Sequence, residues 1–139
     1  MNRAYRRVAG AAVVLVLAGC GGTPQQPVPK GSLANAADLR AAHGVEATAP
    51  EMNCVAKTFG IKPVDAKSID QVATVYAWVY CQSKNGITSE AVPAAVDRNG
   101  TARIPRDSDF ASDINRIFPP DVRGRVSGGP PSDLPTTTG

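Results

Sequence analysis

The chain has 139 residues, 42% of them apolar and 5% aromatic. That suffices for one small domain and falls short of two lobes closing on a cleft. Formal charge is +3, from 15 Lys and Arg against 12 Asp and Glu, and the whole excess sits in Arg3, Arg6 and Arg7. Past residue 19 the two signs balance, and the arginines of residues 97–125 alternate with Asp97, Asp107, Asp109, Asp113 and Asp121. A mixed-sign solvated surface is expected, with no nucleic acid among the partners.

The basic start leads into Val8–Ala18, which carries no charge. Its length fits the apolar region of a secretory signal and is too short to span a bilayer. Leu17-Ala18-Gly19-Cys20 follows. This run resembles the bacterial lipobox, an aliphatic residue and two small ones before a cysteine, at every position. The resemblance implies that the Cys20 thiol receives a diacylglyceryl group and that a peptidase cuts just before it. A thiol is the nucleophile that thioether formation needs, and small residues suit a narrow peptidase site. Two acyl chains anchor stably where one binds marginally. The implied location is the extracytoplasmic face of the cell membrane, with membrane lipid as a partner through Cys20. The Arg6-Arg7 pair lacks the remainder of a twin-arginine export motif and reads as plain charge. In composition, residues 48–126 resemble the small uncharacterised lipoproteins of high-GC Gram-positive bacteria.

Four segments are expected: a signal peptide over 1–19, a lipidated cysteine and flexible spacer over 20–47, an α+β domain over 48–126, and a disordered tail over 127–139. Gly21–Gly31 holds three prolines among small and polar residues and has no apolar period. Residues 32–48 are Ala-rich, with a short helix around Asn35–His43 whose apolar face is thin, so they extend the tether. The tail offers Leu134 as its single large apolar side chain.

Within the domain, Thr48-Ala49-Pro50-Glu51 has the form of a capping box. Met52, Val55, Ala56 and Phe59 then share one helical face, which predicts a helix over 50–59 ended by Gly60. The run 71–82 admits a helical stripe. Seven of residues 72–81 are β-branched or aromatic, however, which favours a strand covered on both sides. Asn85-Gly86 and Asn99-Gly100 mark turns before strands at 91–97 and 101–105, the former broken by Pro93. A helix follows, capped by Asp107 or Ser108. Phe110, Ile114, Ile117 and Phe118 form its apolar face, Asp113 and Arg116 pair on the outer side, and Pro119-Pro120 ends it. The expected fold is α+β: a small antiparallel three-stranded sheet with helices packed on one face and one disulfide.

Cys54 and Cys81 remain after Cys20, 27 positions apart. Outside the cytoplasm they most simply bond to each other, pinning the first helix to the sheet. They lack the C-x-x-C spacing of a redox site and, with His43, fall one short of four zinc ligands. His43 is the lone histidine, in a stretch read as tether. Asp107, Asp109 and Asp113 hint at calcium, but Ser112 and Phe118 stand where an EF-hand loop requires Gly and Glu. No metal, cofactor or catalytic constellation is therefore expected. Tyr76, Trp78 and Tyr80 alternate and so share one sheet face. Core packing under a helix is their simpler role, and an open platform for an envelope protein or ligand is the functional one. The functional expectation is a membrane-anchored, non-enzymatic binding or accessory module. The alternative is a small cell-envelope hydrolase whose site carries no familiar motif.

Overall fold

The central element of the computed structural model, which describes residues 23–136, is strand β2 (Thr74–Ser83). Every residue from Thr74 to Val79 is buried, which the β-branched and aromatic run satisfies with apolar surface on both faces. Strand β1 (Met52–Lys62) flanks it on one side and β3 (Ser89–Asp97) on the other, with a short β4 (Ala102–Arg103) beyond. The order is β1-β2-β3-β4, all neighbours antiparallel. Four strands form the sheet, not three.

The two Asn-Gly turns stand where the sequence puts them, with Gly86 at φ 76° and Gly100 at φ 87°. These values lie in the left-handed region that side chains disfavour. Pro93 is tolerated because β4 pairs only with Ala95 and Val96. Its missing N–H falls on a stretch of β3 that has no outer neighbour.

The expected helix over 50–59 is instead β1. Thr48 closes the preceding helix rather than opening a new one: its hydroxyl and its N–H both donate to the Val45 carbonyl. Cys54, Ala56 and Thr58 are buried in alternation on one face, and a register shift between Thr58 and Gly60 accommodates Phe59 as a bulge. The helical spacing of Met52, Val55, Ala56 and Phe59 was a coincidence of a strand whose two faces are both partly apolar.

Residues expected to extend the tether form helix α1 (Gly31–Glu46), which lies across the sheet. Its buried face is Ala37, Ala41, Ala42, Gly44 and Val45. Small side chains make that face look thin in sequence, and they also let the helix axis come close to the strands. A Cβ on Gly44 would stand 2.6 Å from Val96 Cγ1. Polar groups fasten the contact. Asp38 accepts from the Thr58 N–H and hydroxyl, Glu46 accepts from the Cys54 N–H, and Arg40 donates to the carbonyls of Ile69 and Val72. The outer edge of β1 is thus occupied by side chains, a protection that exposed edges need.

The opposite face is covered as well, so helices pack on both sides of the sheet rather than one. After a single turn at Asp107–Asp109 come α2 (Phe110–Ile117) and α3 (Pro120–Ser127). Pro119-Pro120 ends α2 as expected, and Pro120 also starts α3, at a helical position where the absent N–H costs nothing. Neither Asp107 nor Ser108 caps α2, and Phe110 is exposed. Ile114, Ile117 and Phe118 form the second core with Phe59, Tyr76, Trp78, Ala95, Val122 and Val126.

Both segments read as tether or tail hold contacts. Gln26 is buried; its carboxamide accepts from the Ile61 N–H and donates to Asp121, and its own N–H donates to the Asp121 carbonyl. At the other end Leu134 packs on the second core and Asp133 pairs with Lys57 at 3.2 Å.

Candidate functional site

Cys54 and Cys81 are opposite one another in the β1–β2 register and are joined by a disulfide, with Cα atoms 4.1 Å apart. The pairing is the expected one. What it joins is different: two neighbouring strands, because Cys54 lies on β1 and not on a helix. Cys20 lies outside the described residues.

Tyr76, Trp78 and Tyr80 share one sheet face, as their alternation requires. That face is not an open platform. Tyr76 and Trp78 are buried beneath α2 and α3, and only Tyr80, past the reach of the helices, stays half-exposed. The Phe118 ring sits 6.0 Å from Tyr76 and 6.2 Å from Phe59, tilted against both. The Trp78 indole N–H donates to the Arg125 carbonyl at 3.0 Å. These contacts give the aromatic row its core role.

One margin of Trp78 does meet a surface hollow. A groove of about 280 Å³ runs between β1, the end of α3 and the N-terminal segment. Trp78, Phe59, Val28 and Pro131 supply its apolar walls, with Lys57, Thr58 and Arg125 as its polar side chains. Arg125 is held in place by donating to the Gln26 and Phe59 carbonyls at 2.6 and 3.1 Å. No carboxylate lines the groove, so it can bind an apolar or anionic group but offers no acid–base pair.

A second hollow, of about 340 Å³, has the opposite character. Its floor is one end of the sheet, carrying Lys62, Thr74, Tyr76 and Arg103, and its wall is the α2–α3 corner with Asn115, Arg116 and Arg123. Topology brings these together: Lys62 pairs with Thr74, Tyr76 with Ala95, and Ala95 with Arg103, which sets four side chains on one face. Arg123 is fixed by donating to the carbonyls of Phe118 and Asn115. Burial pushes the Tyr76 phenol above its usual range, against the pull of Arg103, so its hydroxyl stays neutral and able to donate.

Asp113 was expected on the outer side of its helix. It is buried, accepting from the Arg106 backbone N–H and guanidinium and from Arg116 at 2.6 Å. Those bonds, the Arg106 side chain first, hold its carboxyl well below the usual range. A carboxylate so held is a strut for the corner rather than a proton donor. Asp107 and Asp109 stay exposed, and no group of three His, Cys, Asp or Glu that could hold a metal occurs among the described residues. His43 is exposed on α1.

Sequence reasoning missed both hollows because each is assembled from segments far apart in the chain. One sign of the second was present: Arg116 and Arg123 flank a Pro-Pro corner at similar distances, which a helix–turn–helix brings together. Among the described residues no helix is long and apolar enough to cross a membrane. Compared with models of protein families, with curated proteins and with solved structures, the chain matches none.

Proposed function

We propose that this protein is a lipoprotein of the cell envelope. Diacylglyceryl on Cys20 holds it at the extracytoplasmic face of the membrane, where it serves as a non-enzymatic binding or accessory module. The observation that carries the reading is the Cys54–Cys81 bond. It suits an oxidising compartment. It also occupies two of the chain's three cysteines and leaves Cys20, the one within the lipobox-like run, for other chemistry. The binding role is supported by the two hollows, one apolar and one basic, neither of them lined by a carboxylate. The hydrolase alternative asks for at least two convergent acid or base groups in a hollow.

Growth with a palmitate analogue tests the anchor. Label is expected on the wild-type chain and on Cys54→Ser, and its loss is expected in Cys20→Ser. A wild-type chain without label, or label that persists in Cys20→Ser, contradicts the proposal.

A further inference from the structure

We propose that the basic hollow at the α2–α3 corner binds a phosphate group carried on a small organic body. The inference rests on the binding-module part of the preceding reading and is independent of the lipid anchor.

Charge is the first argument. Lys62, Arg103, Arg116 and Arg123 line the hollow and no acid does. Arg103 is offset by Asp97 at 3.1 Å and Arg116 by Asp113 at 2.6 Å. Asp113 is shared with Arg106, which has Asp109 at 3.2 Å as a further partner. Arg123 meets only carbonyl oxygens in its hydrogen bonds, which orient a guanidinium without neutralising it. Lys62 also lines an adjoining hollow that holds Asp121. Counting Asp121 against Lys62 leaves an excess of one positive charge, and omitting it leaves two. A phosphate ester carries that range of negative charge near neutral pH.

Donor geometry is the second. The Arg103 Nε is buried and has no hydrogen-bond partner among the described residues. An unpaired donor is costly, so the Arg103 side chain gains from an acceptor brought into the hollow it lines. Tyr76 lines the same floor and adds a hydroxyl group, while the Thr74 hydroxyl beside it already donates to Asp97 at 3.4 Å. Arg guanidinium groups and hydroxyls match the several acceptor oxygens of a phosphate better than they match the two of a carboxylate.

Size and lining are the third. The hollow, at about 340 Å³, exceeds what a bare phosphate fills. Ile117, Phe118 and Pro119 give the remainder an apolar wall. A short organic body attached to the phosphate would use it.

This chemistry has two sources: the headgroup of an anionic phospholipid and a soluble phosphate ester. The full-length protein in neutral detergent micelles is titrated calorimetrically with glycerol 1-phosphate, with inorganic phosphate and with glycerol. Saturable binding of glycerol 1-phosphate is expected, weaker binding of inorganic phosphate, and none of glycerol. Lys62→Gln and Arg103→Gln should each weaken glycerol 1-phosphate about tenfold, as loss of one charge-assisted contact implies. Lys62 is exposed, so Lys62→Gln is expected to melt with the wild type and guards against a folding artefact. Absence of any glycerol 1-phosphate heat, or binding unchanged in both variants, overturns the site and leaves the lipid-anchor reading standing. The sources separate when the protein is reconstituted in phosphatidylcholine vesicles with or without phosphatidylglycerol. If glycerol 1-phosphate binding falls with phosphatidylglycerol present, the headgroup is the source; if it is unaltered, the soluble ester is.

Discussion

Single residues far from any recognised motif decide much of this structure. Asp113 satisfies a backbone N–H and two arginines at the corner between β4 and α2. Its carboxyl is held below the ordinary value of 3.8 in the folded chain only. A depressed folded value contributes stability that is present above the unfolded value and lost as pH falls below it. The melting temperature should therefore decline on acidification through about pH 4, and Asp113→Asn should both lower it at pH 7 and flatten that decline. Melting curves from pH 7 to pH 3 check this; parallel curves for the two proteins would count against it. Gln26 is a second case. Truncating it to Ala leaves the Ile61 N–H without its side-chain acceptor inside the fold, at a cost of roughly 1–3 kcal/mol. Urea unfolding of Gln26→Ala measures that cost. A residue in a solvated spacer would change stability by less than about 0.5 kcal/mol.

Among the elements, those that were legible in sequence are the ones with redundant cues. β2 has a dense β-forming run and an Asn-Gly turn after it, and α2 has a long apolar period and a proline stop; both are where the sequence predicts them. β1 is hidden in the sequence because Met52, Val55, Ala56 and Phe59 fit a helical face as well as a strand, and the partner that decides between them, β2, lies about twenty residues away. α1 was undervalued because alanine and glycine carry little apolar weight, although Ala37 and Ala41 are fully buried. Their value lies in close approach, which no hydropathy pattern displays. The disulfide has the expected partners yet does a different job. As a cross-strand bond it ties Cys54 to the residue opposite it in the β1–β2 register. It closes a loop of about 28 residues, worth roughly 3–4 kcal/mol by loop entropy. Replacing both Cys54 and Cys81 by Ala should lower unfolding free energy by about that amount in denaturant titrations. A loss under 1 kcal/mol would show that the sheet holds this register without the bond.

For the molecule as a whole, the lipobox-like run and the cysteine pair stand out in the sequence, but the extent of chain that folds around that pair does not. Helices cover both faces of a four-stranded sheet, and segments from Gln25 to Leu134 take part. The basic hollow is a product of that closure. Lys62, Arg103 and Arg123 come from three separate elements, so their convergence is a property of the topology and of no local pattern. The central claim joins anchor and fold: a chain beginning at Cys20, carrying lipid there, with the other two cysteines bonded to each other. Intact mass of the protein from native membranes, taken with and without a reductant, tests it most directly. The expected result is a chain lacking residues 1–19, heavier by a diacylglyceryl group, that gains about two mass units on reduction, the two hydrogens of one opened disulfide. A chain that retains residues 1–19, a cleaved chain without lipid, or a mass unmoved by reductant would contradict it.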